Sequence, residues 1–263
     1  MKKTFSVIFI LSIISLSCNT PKEPQNTQDH LIMSVLWYQK SAEMKALYYQ
    51  SFNWAKYRIE QELQQQKSDN KKAVIVDIDE TMLDNSPFEA NCVHTGSGYT
   101  TERWMEWAAK SSAKALPGAV EFSHFARSKE VEVFYISNRT VAEFDVTLKN
   151  LQKENFAFAD SIHLLLKSNT SSKKLRRQIV ENNYKIILLI GDNLGDFSEI
   201  FEDRSSNFGF NVVDKNKDFF GEKFIVLPNP MYGAWEKPIV ESEKPLSDKE
   251  KIELRKKALT GYK

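Results

Sequence analysis

Short apolar runs alternate with longer amphipathic stretches over most of the chain. Five runs rich in β-branched residues predict strands at 73–78, 131–137, 161–166, 186–190 and 224–227. Stretches with helical periodicity separate them, at about 119–129, 140–154, 172–183 and 197–205. Near-continuous apolar strands joined by amphipathic helices are typical of a parallel sheet that is covered on both faces. The pattern therefore predicts an α/β fold.

Two segments stand outside this alternation. Residues 30–70 precede the first strand and are helical in pattern, with apolar side chains on more than one face. We expect this segment to pack on the main domain or on a second subunit, so a homo-oligomer stays open. Residues 84–117 are too many for a simple crossover after the first strand. They predict a small helical cap that is inserted into a core of residues 71–263.

The amino terminus has the features of an export signal. Two lysines precede an apolar stretch over residues 5–16, which is too short to span a bilayer and predicts a signal peptide over residues 1–17. Cys18 follows a small residue, as at a lipoprotein cleavage site, and would then carry a lipid anchor to the membrane. An ordinary signal peptide with an incidental cysteine is the alternative. Residues 18–29 are polar and predict a tether.

Composition adds mainly exclusions. The 263 residues carry 36 basic and 35 acidic side chains, a formal net charge of +1. A protein that binds a nucleic-acid polymer would need a basic excess, so that class of partner is not expected. Two cysteines cannot form a disulfide framework. The length suits one large domain, or one core with a sizeable insertion.

Polar side chains follow the predicted strands at their carboxyl ends, where open α/β sheets bind ligands. Because these ends meet at one edge of a parallel sheet, we expect the side chains to converge. They are Asp77, Asp79 and Thr81 after the first strand, Ser137, Asn138 and Arg139 after the second, Lys173 beyond the third, and Asp192 and Asp196 after the fourth.

The residue types in this set favour phosphate chemistry with a metal ion. Close carboxylates repel one another unless a cation lies between them, and a small set of oxygen ligands suits Mg²⁺. Such a metal lets a phosphate dianion approach an aspartate, which can then form an aspartyl-phosphate. A Ca²⁺ loop beginning at Asp77 is excluded, because Met82 and Phe88 occupy the positions that require Gly and Glu.

This order of motifs resembles the haloacid dehalogenase (HAD) superfamily of phosphatases. Segments 36–43, 78–87, 116–119, 191–197 and 227–236 are similar to class C acid phosphatases, which are bacterial outer-membrane lipoproteins. The resemblance implies a HAD-like Rossmannoid sheet and a Mg²⁺-dependent acid phosphatase. It also implies small phosphomonoester substrates, with nucleoside 5′-monophosphates expected (a 5′-nucleotidase), and a location in the cell envelope, at the outer membrane or in the periplasm.

The resemblance also implies a role for each site residue. Asp77 would be the nucleophile, Asp79 the general acid and base, and Thr81 a hydrogen-bond partner that holds Asp79. Mg²⁺ would be held by Asp77, the Asp79 carbonyl and Asp192, with Asp196 on a metal-bound water or on Lys173. Phosphate would be bound by Ser137, Asn138 and Lys173, for which Lys167 is the alternative, and Tyr99 and Tyr232 would stack on the leaving group.

A second class of function shares this fold. A non-catalytic lipoprotein of the cell envelope could capture haem or a nucleotide at the same site. Plant storage proteins resemble these phosphatases but lack the nucleophile, whereas Asp77 is present here together with the other motif residues. The complete set of motifs therefore favours catalysis.

Overall fold

Strands and helices alternate along the chain as the apolar runs predict. The structure is a computed structural model that describes residues 26–65 and 70–262; the predicted signal peptide and Cys18 lie outside them. The elements in chain order are α1 (Ile32–Lys40), α2 (Ala42–Gln65), β1 (Lys72–Val76), β2 (Leu83–Asp84), α3 (Ser86–Thr95), α4 (Thr101–Ala109), β3 (Lys114–Ala115), α5 (Ala119–Ser128), β4 (Val131–Thr140), α6 (Phe144–Lys153), β5 (Leu164–Lys167), α7 (Lys174–Glu181), β6 (Lys185–Gly191), α8 (Phe210–Lys215), β7 (Phe224–Val226), α9 (Lys237–Val240) and α10 (Asp248–Ala258).

A five-stranded parallel sheet lies at the centre, in the order β5-β4-β1-β6-β7. The chain runs outward from β1 to β4 and β5, then returns to β6 on the other side of β1. The order of connections therefore reverses at β1, and ligands bind at the carboxyl ends of the strands beside such a switch point. The predicted α/β fold with a Rossmannoid parallel sheet is confirmed.

Both faces of the sheet are covered by apolar side chains, which explains why its strands are apolar without interruption. Val74 and Val76 of β1 belong to a buried cluster with Phe52 of α2 and Phe122 of α5. Ala73 and Ile75 point to the opposite face and belong to a second cluster, with Val180 of α7 and the phenylalanines that follow β6. The period-two alternation thus places successive residues of β1 in two different cores.

The amino-terminal segment forms two helices rather than one. Ser41 separates α1 from α2 with an extended backbone (φ −85°, ψ 137°). Its hydroxyl accepts a hydrogen bond from the Met44 N–H at 3.0 Å, which caps the start of α2. Tyr48, Phe52 and Ile59 of α2 are completely buried. The segment therefore packs on the sheet of its own chain, which is one of the two predicted alternatives.

The predicted insertion after β1 contains α3 and α4. They lie between β2 and β3, which pair antiparallel with Leu83 opposite Ala115. The insertion is joined to the core by Trp104 of α4, whose Nε1–H donates to Glu143 Oε1 at 2.7 Å. The insertion therefore lies beside the carboxyl end of β4, where the chain leaves the sheet and enters α6.

The helix predicted over 197–205 is wrong. Residues Glu199–Phe201 form a single 3₁₀ turn instead. The Ser198 hydroxyl accepts from the Ile200 N–H at 3.4 Å, and Asp203 Oδ1 accepts from the Ser205 N–H at 2.9 Å. The Ser198 hydroxyl thus caps the start of the turn, while the Asp203 carboxylate holds the backbone beyond it in a local bond that competes with helical hydrogen bonds.

Candidate active site

Three carboxylates meet at the carboxyl ends of two neighbouring strands. Asp77 follows β1 directly, while Asp192 and Asp196 follow β6, the next strand in the sheet. One carboxylate oxygen of each lies within 4.8 Å of the other two. The parallel arrangement of the strands thus brings these predicted residues together, although Asp77 and Asp192 are far apart in sequence.

A glycine makes the close approach of the third carboxylate possible. A Cβ atom at Gly191 would lie 2.2 Å from Asp196 Oδ2, well inside van der Waals contact. The same oxygen accepts a hydrogen bond from the Asn193 N–H at 3.0 Å, so the carboxylate is folded back over the end of β6. Any side chain at position 191 would displace it.

Lys173 is the buried cation of the cluster. Its Nζ donates to Asp77 Oδ1 and to Asp196 Oδ1, the latter at 2.7 Å. The residue stands just before α7 and is almost fully buried. Lys167, the alternative considered from the sequence, is the last residue of β5, which is an outer strand of the sheet. Of the two lysines, it is Lys173 that contacts the proposed nucleophile.

The cluster carries more negative charge than one lysine offsets. Burial, reinforced by Asp196 and Asp79, raises the pKa of Asp77 to about 7 even though Lys173 acts to lower it. Burial, with Asp196 and Asp77, also raises the pKa of Asp192 well above its usual range. Crowded, buried carboxylates of this kind gain from a cation, and a donor set made of oxygens fits Mg²⁺.

Asp79 points away from the cluster, toward β4. Its carboxylate accepts from Arg139 Nη2 at 2.8 Å and Nε at 3.0 Å, and from Asn85 Nδ2 at 2.8 Å. Ser137 Oγ donates to its second oxygen at 3.1 Å. Although only Ile78 separates Asp79 from Asp77 along the chain, the two carboxylates thus have different partners.

The predicted bond between Thr81 and Asp79 is wrong, because Thr81 Oγ1 donates to Asp77 Oδ2 at 3.3 Å. The cause is a tight turn after β1. Glu80 has a positive φ of 57°, and the N–H groups of the next residues return to the Ile78 carbonyl. This turn brings Thr81 back beside Asp77, while Asp79 is left on the side facing β4.

Ser137 and Asn138, predicted to bind phosphate, lie at the same edge of the sheet. Ser137 is completely buried, and its Oγ accepts from the Arg139 N–H at 3.0 Å in addition to its bond to Asp79. Asn138 is exposed, and its Oδ1 accepts from Arg176 Nη2 at 2.7 Å. Arg176 also donates to the Ser137 carbonyl and so fixes the backbone at Ser137 and the side chain of Asn138.

The two predicted stacking tyrosines lie on different parts of the chain. Tyr232 follows β7, is half-buried, and its hydroxyl hydrogen-bonds to Glu80 Oε2. Tyr99 lies just before α4 in the insertion and is 64% exposed. Its ring centroid is 6.0 Å from that of Phe88 and 6.4 Å from that of Trp104. Tyr232 is therefore tied to the turn after β1, and Tyr99 belongs to an aromatic group of the insertion.

Some residues of the site carry no sign of their role in the sequence. Glu80 is completely buried, accepts from the Asn85 N–H at 2.7 Å, and has a pKa that burial raises well above its usual range. Asn229 Nδ2 donates to Asp192 Oδ2 at 2.8 Å. The one available indication was that Glu80 and Asn85 stand within the motif that begins at Asp77.

Comparison with known proteins adds a family and several relatives. The family model described as "HAD superfamily, subfamily IIIB (Acid phosphatase)" matches residues 16–235. The structure is similar to the class C acid phosphatase from Bacillus anthracis, with a TM-score of 0.86 and 39% identity over 90% of this chain and 100% of that chain. A structure of the B. anthracis class C acid phosphatase with tungstate bound gives a TM-score of 0.85 and 38% identity, with the same coverage.

Two curated plant proteins are more distant relatives. The Stem 31 kDa glycoprotein of Glycine max is 26% identical over 164 residues, which is 60% of this chain. Acid phosphatase 1 of Solanum lycopersicum is 26% identical over 172 residues, 62% of this chain. The matches span 58% and 60% of the length of these two relatives.

Proposed function

The chain belongs to the HAD superfamily, subfamily IIIB, of acid phosphatases, and from this premise we propose that it is a Mg²⁺-dependent phosphomonoesterase. One observation carries the proposal: Asp77, Asp192 and Asp196 meet within 4.8 Å, with the Lys173 ammonium on two of them. The similar class C acid phosphatase from B. anthracis has a structure with tungstate bound; tungstate is a tetrahedral oxyanion like phosphate, which supports phosphate as a ligand of this chain too. The motifs for catalysis are complete, so the alternative of a non-catalytic binding protein is not favoured.

Asp77, Asp192, Asp196 and the backbone carbonyl of Asp79 would hold the metal. When bound, Mg²⁺ supplies the positive charge that offsets the approaching phosphate and the carboxylates. The raised pKa values of Asp77 and Asp192 support this assignment, because burial first, and then the neighbouring carboxylates, disfavour their charged forms, and a bound cation would offset both effects. The Asn229 amide would orient the Asp192 carboxylate toward the same point.

Asp77 would then act as the nucleophile. Its carboxylate oxygen attacks phosphorus, the new O–P bond forms, and the bond to the leaving oxygen breaks. Asp79 gives its proton to that leaving oxygen and afterwards takes a proton from the water that hydrolyses the aspartyl-phosphate. The water oxygen bonds to phosphorus as the Asp77 O–P bond breaks, so that phosphate is released and the free Asp77 carboxylate is restored. Thr81, which bonds to Asp77, would orient the nucleophile rather than the acid.

Lys173, Ser137 and Asn138 would bind the non-bridging phosphate oxygens. Lys173 is best placed for this role, because its ammonium already lies against the Asp77 oxygen that faces the cluster. Ser137 shares the Asp79 carboxylate, so its hydroxyl lies near the position of the leaving oxygen. Asn138 is the exposed member and would contact the phosphate from the solvent side.

We expect small substrates with an aromatic or heterocyclic leaving group, and nucleoside 5′-monophosphates in particular. Tyr232 supports this class, because its ring lies beside the site and its hydroxyl is held by Glu80. Tyr99 would supply a second aromatic face from the insertion. Stacking of a base on such rings is worth about 1–3 kcal/mol, and it tolerates many ring systems.

We further propose that Cys18 is lipidated and that the enzyme works in the cell envelope, at the outer membrane or in the periplasm. No helix within residues 26–65 and 70–262 is both long and apolar enough to cross a bilayer. Expression of the full chain and of a Cys18→Ser variant tests the proposed lipidation: only the former should incorporate labelled fatty acid and sediment with membranes.

A panel of phosphomonoesters tests the proposed activity. Wild-type protein should release phosphate from nucleotides and aryl phosphates, lose this activity in EDTA, and recover it when Mg²⁺ is added in excess. Asp77→Asn protein, treated identically, is the control for contaminating phosphatases. Full turnover in EDTA would contradict the metal assignment. Tight nucleotide binding by wild-type protein with no turnover under any condition would restore the non-catalytic alternative.

A further inference from the structure

Arg139 is a buried cation to which the proposed chemistry assigns no role. It lies in β4, two residues after Ser137, and is only 3% exposed. Its Nε donates to Asp79 Oδ1 at 3.0 Å and to Oδ2 at 3.3 Å, and its Nη2 donates to Oδ1 at 2.8 Å. The planar guanidinium therefore holds the Asp79 carboxylate through two of its nitrogens at once.

The rest of the guanidinium is engaged by the protein. Nη1 donates to Thr147 Oγ1 at 3.3 Å, and Nη2 also donates to Asn85 Oδ1 at 3.3 Å. The guanidinium carbon lies 5.4 Å from the centroid of the Trp104 ring, within the range of a cation–π contact. Bonds on each nitrogen and an aromatic face fix the orientation of Arg139, so its fork cannot turn away from Asp79 without breaking several contacts.

Asn85 extends this support to the insertion. Its Nδ2 donates to Asp79 Oδ1 at 2.8 Å, while its Oδ1 accepts from Trp107 Nε1 at 2.8 Å. Asn85 is 1% exposed and stands directly before α3. The Asp79 carboxylate is therefore held on one side by Arg139 of the core strand β4 and on the other by Asn85, the residue directly before the inserted helix α3.

We propose that Arg139 is the positioning residue for Asp79: with Asn85 as a second support it holds Oδ1, which leaves Oδ2 to carry the proton that passes to the leaving oxygen. This inference rests on the proposed function. Only a planar fork can grip a carboxylate through two nitrogens, whereas a lysine would act as a single point charge that leaves the carboxylate free to turn. Arg139→Lys thus keeps the charge and removes the orientation.

Positioning of an acid leaves a kinetic signature that phosphate binding does not. An alcohol of high pKa needs a proton as it leaves, whereas a nitrophenolate departs without one. A misplaced Asp79 therefore slows alkyl phosphates much more than activated aryl phosphates. A residue that binds the phosphate itself acts on a group common to all substrates, and its loss slows them equally.

The experiment compares kcat/KM over a series from p-nitrophenyl phosphate through phenyl phosphate to glycerol phosphate. This ratio reports steps up to departure of the leaving group, so slow hydrolysis of the aspartyl-phosphate does not mask the effect. For Arg139→Lys we expect a loss of about 100-fold on glycerol phosphate and below about tenfold on p-nitrophenyl phosphate. Arg176→Lys is the matched control, because Arg176 is also buried at this edge but holds Ser137 and Asn138. Its losses should be equal across the series.

Three results would overturn the inference. The first is an equal loss by Arg139→Lys on all substrates with weaker inhibition by phosphate, which would make Arg139 a phosphate ligand. Should Arg139→Lys fail to fold, Asn85→Ala decides: the same dependence on the leaving group is expected, and a flat profile is the second contrary result. The third is a wild-type protein that turns over no phosphomonoester, which would remove the proposed function as well and is recognised without any variant.

Discussion

Gly191→Ala tests whether the shape of the acidic cluster depends on the absence of a single methyl group. The new Cβ would lie 2.2 Å from Asp196 Oδ2 and 2.7 Å from both Cβ and Cγ of the same side chain. Ordinary contacts of this kind are about 3.5–4 Å, so the carboxylate must move by more than about 1 Å. Its bond to the Asn193 N–H and its ion pair with Lys173 cannot both survive that movement.

The cost can be worked from these contacts. Insertion of a methyl group into a packed site costs about 1–3 kcal/mol, and a charged hydrogen bond contributes about 1.5–3 kcal/mol. Because relaxation recovers part of each, we expect the free energy of unfolding to fall by about 2 kcal/mol. For a chain of this size that lowers Tm by about 4–8 °C. The displaced carboxylate should also weaken Mg²⁺ binding by about tenfold or more, since tenfold corresponds to about 1.4 kcal/mol.

Gly195→Ala is the matched control in the same loop. A Cβ at Gly195 meets only Asn193 Oδ1, at 3.9 Å, which is ordinary contact. Thermal unfolding and the Mg²⁺ dependence of kcat/KM on p-nitrophenyl phosphate should be measured for both variants. We expect Gly195→Ala to behave like wild type within about 0.5 kcal/mol. A Gly191→Ala protein with the Tm and Mg²⁺ requirement of Gly195→Ala would show that the Asp196 carboxylate does not need the space left by Gly191.

Three further predictions concern the proposed chemistry. Asp77→Asn should lose turnover, because an amide cannot attack phosphorus, and more than a few per cent residual rate would exclude Asp77 as the nucleophile. In EDTA at pH 8, the Tm of this variant should match or exceed that of wild type. The reason is that burial raises the pKa of Asp77 to about 7, so that its ionised form costs stability above that pH. Asp192→Asn should raise the Mg²⁺ concentration needed for half-maximal rate, measured by titration after EDTA, and an unchanged requirement would remove it from the metal site. Tyr232→Ala should lower kcat/KM on a nucleoside 5′-monophosphate more than on glycerol phosphate. Tyr232→Phe keeps the ring and should keep the preference for the nucleotide. Equal losses by Tyr232→Ala on both substrates would show that stacking does not select the leaving group.

Much of the fold follows from local patterns. The apolar runs that become β1, β4 and β6 are each long enough, and sufficiently β-branched, to identify a buried strand without reference to the rest of the chain. The convergence of Asp77, Asp192 and Asp196 follows in turn, because a parallel sheet collects the ends of its strands at one edge. These predictions needed only the apolar pattern of the strands and the parallel arrangement that it indicates.

Boundaries were less predictable where side chains bond to the local backbone. Ser41 divides the amino-terminal helix in two through its cap. After β6, Ser198 caps a single 3₁₀ turn, and the bond from the Ser205 N–H to Asp203 follows directly after it. The Asp160 carboxylate likewise accepts the N–H groups of Ile162 and His163, so β5 begins only at Leu164. Each of these bonds shifts the boundary of one element by a few residues, and the hydrophobic period of the sequence gives no sign of it.

The α/β class, the edge of the sheet that carries the chemistry and the acidic side chains that converge there all follow from the amino-acid sequence. The hydrogen-bond partner of each of these side chains does not. Thr81 was expected to hydrogen-bond to Asp79 but donates to Asp77 instead, because the positive φ of Glu80 turns the chain sharply after β1. Arg139 reaches Asp79 across 60 positions of sequence. A pairing of that kind depends on the relative placement of two strands and a turn, and no local pattern of residues encodes it.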